Sequence, residues 1–421
     1  MSGDEPAPSS ASARAAQRVA IAAASGGEPA GPGRGGRSAL LYLIVGQVGL
    51  HAGLAGLRMA APLQALHDGW SAGTVGVLMA LFAAAPVLLA MPAGRLADRH
   101  GYHRPVRLAA AAAALGIASA LAAVLAAGAG RLALLGVAAL LVGAGVNLGL
   151  IAVQRTAGLE ARDAAERVRV FSWLAVAPSF ANVVGPVAAG FLIDAAGFGA
   201  AYSLLLALPA LTLAAARRVP AVRPPGNASR AGGSVAGLLG APGIKRLLVL
   251  NWLLSMCWDV HSFAVPVLGH ERGFSASTIG LVLGTFTLAA TAVRLFIPVL
   301  AHRLDERRVV GGAMLVTALV FCLYPFAAQP WTMASCAAVL GVSLGSVQPM
   351  LMSALHRLTP GDRHGEALAF RSMTINASST VMPLIFGATG AVAGAGVLFW
   401  VVGAAVGAGS WLARRLGVAE A

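Results

Sequence analysis

Long apolar runs alternate with short polar segments along almost the whole chain. Each run is close to the roughly 20 apolar residues that an α-helix needs to cross the hydrocarbon core of a bilayer. Lipid cannot pair with backbone polar groups, so runs of this length predict spanning helices. The runs fall at 40–66, 74–94, 106–128, 132–155, 170–192, 200–216, 247–268, 278–300, 309–327, 332–355, 367–390 and 394–413. We therefore predict an all-α polytopic membrane protein with twelve transmembrane helices.

Composition supports a chain that is surrounded by lipid. Of the 421 residues, 58% are hydrophobic and 11% are charged, whereas a soluble domain carries about 25% charged residues. The 52 glycines would let helices approach closely where apolarity alone cannot drive association. Cys257, Cys322 and Cys336 lie inside apolar runs without paired spacing, which indicates packing rather than a disulfide or a metal site.

Basic residues predict the orientation in the membrane. Of the 30 Lys and Arg residues, all but Arg58, Arg131, Arg272 and Arg294 fall in the terminal segments or in alternate loops on one side. Cytoplasmic loops are enriched in Lys and Arg, so this asymmetry predicts that both termini are cytoplasmic. The net charge of +14 then follows from membrane orientation, and nucleic-acid binding is not expected.

The two halves of the chain are related in sequence. Residues 69–78 and 273–282 are identical at five of ten positions at a shift of 204, which also aligns Arg99 with Arg303. A polar segment rich in Pro and Gly, typical of a linker, separates the halves. Such a parallel repeat predicts two pseudo-symmetric six-helix bundles around a central site. The predicted segments are a disordered cytoplasmic tail at 1–37, bundles at 38–218 and 245–415, a cytoplasmic linker at 219–244 and a C-terminal tail at 416–421.

The loop after the second run carries a recognisable pattern of glycine, acid and base. Its positions are Gly94, Asp98, Arg99, Gly101 and Arg104. The loop resembles the signature of the major facilitator superfamily, G-x-x-x-D-R-x-G-x-(R/K)-(R/K), although His103 stands where a base is usual. The resemblance implies a two-bundle transporter that works by alternating access. Gly94 would permit close helix contact, and Asp98 would pair with a base or cap a helix in one conformation only, which would make this a gating loop.

The fifth run contains a second pattern, with Gly185, Pro186 and Gly190. It resembles the back half of the antiporter motif G-x-x-x-G-P-x-x-G-G of drug–proton antiporters, with Ala189 where glycine is usual. A proline kink among small residues makes a pliable and tightly packed helix. The resemblance implies export, but ordinary Gly and Pro in a membrane helix would explain the pattern equally well.

One acid lies in the middle of an apolar run. A carboxylate at the depth of Asp259 costs about 2.5–3.5 kcal/mol on insertion scales, which indicates a cavity or a partner. The repeat aligns Ala55 with Asp259, so Arg58 lies one helical turn from the equivalent depth and is the expected partner. The resemblance places the first and seventh helices at a central cavity. The candidate proton-coupling or substrate-binding residues are Asp259, Arg58, His261, His51, Asn251, Gln348 and Asn376.

Other polar or aromatic residues at membrane depth have simpler explanations. Arg294 and Arg371 lie near helix ends, and we expect both to extend to the membrane surface, although Arg294 could instead line the cavity. Trp258 is expected to pack in the core or against lipid. A fixed ion pair that only orients helices would also account for Asp259 and Arg58.

Three functions fit these residues. The first is proton-coupled export of a small amphipathic compound from the inner membrane of a bacterium. The second is proton-coupled uptake of a small organic anion, bound by Arg58 and Arg294. The third is a membrane enzyme or a sensor. An enzyme would need paired groups, and Asp259 and His261 point apart on a helix.

The expected partners follow from the same reading. They are a small-molecule substrate, protons and the lipid bilayer, and the chain is expected to act as a monomer. The sequence has no phosphate-binding loop and no His/Cys cluster with metal-ligand spacing. Neither enzymatic activity nor a metal or cofactor is therefore expected.

Overall fold

The computed structural model of this protein describes residues 34–160, 164–220, 243–300, 305–359 and 364–414. Over these residues the secondary structure is helical, and eleven helices are long and apolar enough to cross a membrane. The predicted tail up to residue 33 and the predicted linker over 221–242 lie outside the described residues. The helices are α1 (Arg34–His67), α2 (Ala72–His100), α3 (His103–Leu125), α4 (Gly128–Glu160), α5 (Ala164–Ala216), α6 (Ile244–Glu271), α7 (Ala276–Leu300), α8 (Glu306–Leu323), α9 (Pro330–Leu358), α10 (His364–Ala393) and α11 (Ala395–Arg414).

Each helix corresponds to a predicted apolar run, except that the fifth and sixth runs share α5. This helix has 53 residues, which at 1.5 Å per residue would span about 80 Å if it were straight, more than twice the apolar core of a bilayer. The backbone is broken at Gly197, where φ is 79° and ψ is 178°. Glycine reaches such angles readily because it has no Cβ. Residue 197 therefore divides α5 into two arms without a loop.

Most of the short connections lie together at one end of the helices, which we call the hairpin side; the turn at 101–102 between α2 and α3 lies at the opposite end. Asp68, after α1, pairs with Arg131 at the start of α4. Arg272, after α6, donates to the carbonyl oxygens of Pro325 and Ala327 in the segment between α8 and α9. The ring of Phe198 lies 6.0 Å from that of His67, and Gly396 lies beside Pro325. The hairpin side therefore contains the turns at 68–71, 126–127, 272–275, 327–329 and 394, together with the Gly197 kink.

The opposite end, which we call the linker side, has its own polar contacts. Asp98 on α2 pairs with Arg155 on α4 at 2.8 Å. Glu306 pairs with Arg357, which joins α8 to α9. Both contacts stay within the same part of the chain, either before residue 220 or after residue 243.

Contacts between these two parts concentrate on the hairpin side. A Cβ at Gly280 on α7 would lie 2.5 Å from the carbonyl oxygen of Pro186 on α5. A Cβ at Gly76 on α2 would likewise overlap the carbonyl oxygen of Pro383 on α10. Such close approach of helix backbones requires residues without a side chain. The two parts are therefore packed tightly on the hairpin side.

Candidate functional site

Two adjoining cavities lie between the two parts of the chain, near the middle of the helices. The larger has a volume of about 330 Å³ and the smaller of about 100 Å³. They share Asn182 on α5, Trp258 on α6 and Thr287 on α7. We treat the two as one central cavity, because the same side chains form the wall between them. Its other polar or charged lining residues are Gln47, His51, Arg58, Gln154, Ser179, Ser262 and Arg294.

Two arginines line this cavity together with Trp258. Arg294 lies over the indole ring, with its guanidinium carbon 5.6 Å from the ring centroid, which is within cation–π range. Arg58 lines the smaller cavity together with Trp258. The Nε atoms of both arginines are buried without a hydrogen-bond partner. The expectation that Arg294 reaches the membrane surface was wrong, because its side chain lines the cavity, which was the alternative. Trp258 packs against the core as expected, and it also lines the cavity.

Asp259 is buried beside the cavity, with 6% of its surface exposed. Its carboxylate accepts hydrogen bonds from Ser379 at 3.1 and 3.2 Å and from Ser378 at 3.5 Å. These hydroxyls on α10 satisfy part of the hydrogen-bonding capacity of a carboxylate that is removed from water. Sequence reasoning missed both serines, although a polar Ser-Ser-Thr sequence within an apolar helix was a signal.

Arg58, the expected partner of Asp259, lies near it but forms no ion pair with it. Arg58 and Asp259 interact electrostatically. The described residues nevertheless contain no ion pair between them, which would require an N–O distance of 4.0 Å or less. In this conformation the direct pair is not made, although the two charges, on α1 and α6, are near enough to attract each other.

The two predicted histidines have different environments. His51 on α1 lines the larger cavity, and its Nδ1 atom is buried without a partner. His261 is fully buried, its Nε2 lies 3.2 Å from the hydroxyl of Tyr324, and its ring stacks on Phe286 at 4.1 Å. His261 therefore belongs to an aromatic packing group, while His51 is available to a molecule in the cavity.

A separate polar group joins three helices. Arg371 on α10 donates from Nε to Oδ1 of Asn251 on α6 at 3.0 Å. It also donates from its guanidinium to Oε1 of Gln348 on α9. The expectation that Arg371 extends to the membrane surface was wrong, because it faces two amide oxygens of neighbouring helices. Asn376 does not join this group and is exposed on α10.

The predicted gating loop has its acid paired in this conformation. Asp98 pairs with Arg155, as expected of an acid at this position. Gly101 ends α2 with φ of 65°, a value that favours glycine, while Arg99 and Arg104 are exposed. The expected close helix contact at Gly94 is not made, since an added Cβ would meet no atom within 4 Å. A role of this loop in gating stays a prediction.

The antiporter-like pattern lies where α5 crosses two other helices. A Cβ at Gly185 would lie 2.6 Å from the carbonyl oxygen of Ala52 on α1. A Cβ at Gly190 would overlap the carbonyl oxygen of Ala276 on α7. Four residues after Gly190, the carboxylate of Asp194 accepts hydrogen bonds from the amides of Ala276 and Ser277 at 2.9 and 2.8 Å. This side of α5 is therefore built for close packing against its neighbours.

Comparison with known proteins places these features in a family. The sequence profile of the Major Facilitator Superfamily matches residues 43–248 and again residues 247–420. The tetracycline resistance protein, class C, of Escherichia coli is 27% identical over 386 residues, which cover 87% of this chain and 94% of that relative. The family consists of transporters, and both matches extend over most of the chain.

Solved structures share the fold at low sequence identity. A POT family transporter in complex with 5-aminolevulinic acid has a TM-score of 0.72 at 12% identity, covering 89% of this chain and 94% of that chain. A mutant form of the nucleoside transporter NupG has a TM-score of 0.71 at 12% identity, covering 90% of this chain and 99% of that chain. At this level of identity the similarity extends to the fold alone.

Proposed function

The chain belongs to the Major Facilitator Superfamily, and we propose that it is a proton-coupled exporter of a small amphipathic compound that works by alternating access. The 27% identical tetracycline resistance protein and the antiporter-like pattern on α5 support export. The multiple apolar helices place the protein in a membrane, and we propose the inner membrane of a bacterium. Asp259, an acid buried at the middle of a membrane helix, carries the proposal.

We propose that the helices form two bundles of six, with α5 contributing two spans across Gly197. The first bundle would occupy 38–218 and the second 245–415, joined by a linker over 219–244. The repeat supports this division, because the shift of 204 aligns Gly76 with Gly280 and each faces the carbonyl of a proline in the other part. The Lys and Arg distribution would place the linker side in the cytoplasm. The described conformation would then face inward.

Proton binding at Asp259 would couple to conformation through Arg58. Arg58 is on α1 in the first part, and Asp259 is on α6 in the second part. A proton on Asp259 would remove the attraction between the two charges and so change the relative free energies of the inward-facing and outward-facing states. Ser378 and Ser379 could remain hydrogen-bonded to the neutral acid, because a carboxylic acid still has acceptor capacity.

The test is transport in proteoliposomes that contain the purified protein. With a set of fluorescent amphipathic compounds, an imposed pH gradient should drive transport by the wild type. Asp259→Asn should lose proton-driven transport, while exchange of substrate across the membrane without a pH gradient should persist. Asp305→Asn is the matched control, since Asp305 caps α8 at the helix end and asparagine is an equally good cap. Full proton-driven transport by Asp259→Asn would rule out the proposed role.

A second candidate is uptake of a small organic anion together with protons. The observation that favours it is the pair of cavity arginines, Arg58 and Arg294, whose Nε atoms have no partner. The direction of the pH gradient that drives substrate into proteoliposomes separates the two candidates. In symport, substrate accumulates in the compartment toward which protons flow, whereas in antiport it accumulates on the opposite side.

A further inference from the structure

We propose that the central cavity binds an amphipathic organic anion, with its anionic group at Arg58 and its apolar body beside Trp258 and Arg294. The inference rests on the proposed function only in taking this cavity as the transport site, and it holds for either direction of transport. The charged side chains that line the cavity are Arg58 and Arg294. Among the described residues that form its walls, none is an acid.

The arginines of the cavity differ from other arginines close to helix–helix contacts. Arg371 donates to two amide oxygens, Arg272 to two carbonyl oxygens, and Arg155 to the carboxylate of Asp98. Within the described part of the chain, the buried Nε atoms of Arg58 and Arg294 have no hydrogen-bond partner. A buried donor without a partner is costly, and more so for a charged group. An anionic ligand would supply the missing acceptors.

The carboxylate of Asp259 does not supply the acceptor that the guanidinium of Arg58 lacks. Its carboxylate is held by Ser378 and Ser379 on α10, and it lies more than 4.0 Å from the guanidinium of Arg58. The guanidinium can therefore bind a second carboxylate without first breaking an ion pair. Arginine suits this role because its planar guanidinium can hold both oxygens of a carboxylate at once.

The shape of the cavity favours a ligand with an apolar body. The apolar lining of the larger cavity, about 330 Å³, includes Leu150, Phe171 and Leu174. Trp258 forms the boundary with the smaller cavity, and Arg294 lies over its ring. The smaller cavity, about 100 Å³, has room for an anionic head beside Arg58. The expected ligand is therefore a ring or a short chain that carries one carboxylate or a similar group.

Sets of matched compounds can test this in the purified wild-type protein. Naphthalene carboxylate, its uncharged carboxamide and the corresponding aminomethyl cation share the same ring and differ in charge. Thermal unfolding in detergent should shift upward with the carboxylate, and by much less with the amide or the cation. Arg58→Gln should weaken carboxylate binding about tenfold or more, as expected for the loss of a charged hydrogen bond. Arg294→Gln, which removes a positive charge beside the apolar body, should weaken binding by less. Arg95→Gln, an exposed arginine on α2, should bind as the wild type does.

The comparison among ligands keeps the test decisive even if an arginine variant fails to fold. Equal or tighter binding of the cation, or no stabilisation by any carboxylate in a set of different rings, would overturn the inference. If a pH gradient drives transport of uncharged or cationic compounds while carboxylates do not bind, proton-coupled transport stands and the anion site is ruled out. If carboxylates bind but a pH gradient drives no transport, the anion site stands and proton coupling is ruled out.

Discussion

Two helix crossings on the hairpin side share a backbone arrangement but differ at a position that faces the start of the neighbouring helix. Where α5 crosses α7, Gly280 faces the carbonyl of Pro186. Where α2 crosses α10, Gly76 faces the carbonyl of Pro383. The position eight residues after the proline is Asp194 on α5 and Ala391 on α10. Both crossings therefore have close backbones, but only one has an acid.

The acid changes what must happen when the hairpin side opens. Asp194 accepts hydrogen bonds from the amides of Ala276 and Ser277, which have no partner within their own helix because they begin it. The equivalent amides of α2 belong to Ala72 and Gly73. Separating α5 from α7 would break charge-assisted hydrogen bonds, whereas separating α2 from α10 would not. The repeat sets the packing, and Asp194 adds a polar latch to one side.

The largest effect is expected when the shared glycines are changed. Gly76→Ala and Gly280→Ala place a methyl group against a proline carbonyl, and overpacking of this kind costs about 1–3 kcal/mol. Both variants should unfold at a lower temperature than the wild type, which differential scanning fluorimetry can measure. Gly94→Ala is the control, since it meets nothing within 4 Å and should gain helix propensity. An unchanged stability of both variants would mean that the crossings are looser than described.

A smaller effect is expected when the latch is removed. Asp194→Ala should favour opening of the hairpin side by about 0.5–2 kcal/mol, the usual cost of losing a helix cap. With the native cysteines replaced by serine, Ser262→Cys in the cavity reports opening through its labelling rate with an impermeant maleimide in right-side-out vesicles. Labelling should accelerate several-fold. Asp68→Ala is the control, because its partner Arg131 lies in the same part of the chain. Equal rates in both variants would show that Asp194 does not hold the two parts together.

The smallest effect is expected when the latch is copied to the other crossing. Ala391→Asp should bring a carboxylate toward the amides of Ala72 and Gly73, slow the labelling of Ser262→Cys, and offset part of the effect of Asp194→Ala. Val392→Asp, at a neighbouring position that is 91% exposed, should do neither. If Ala391→Asp and Val392→Asp behave alike, the two crossings are not functionally equivalent in the way that the repeat suggests.

Most of the helical layout could be predicted from the sequence. Every span needs an apolar run of similar length, and the starts and ends of the runs agree with α1–α4 and α6–α11 to within six residues. The boundary between the fifth and sixth runs was predicted between residues 192 and 200, which contains Gly197. That the two spans join through a kink rather than a loop was not predicted, because apolar residues flank Gly197 on both sides. The repeat was visible because polar residues and glycines coincide at a constant shift.

The candidate site was predicted less completely. The sequence identified Asp259 and Arg58, since charges at membrane depth are rare. It assigned Arg294 and Arg371 to the membrane surface, because position near a helix end does not determine which way a long side chain points. It missed Ser378 and Ser379, which are ordinary residues in membrane helices until a buried carboxylate lies opposite them.

The short turns of the hairpin side have a consequence for handling this protein. The connections there have one to four residues, and α5 turns at Gly197 without any loop. On the proposed topology, the outer face of the protein would expose few cleavage sites for an external protease and few epitopes for an antibody. Epitope tags and fusion partners would belong on the linker side, where an insertion would not separate Asp194 from α7.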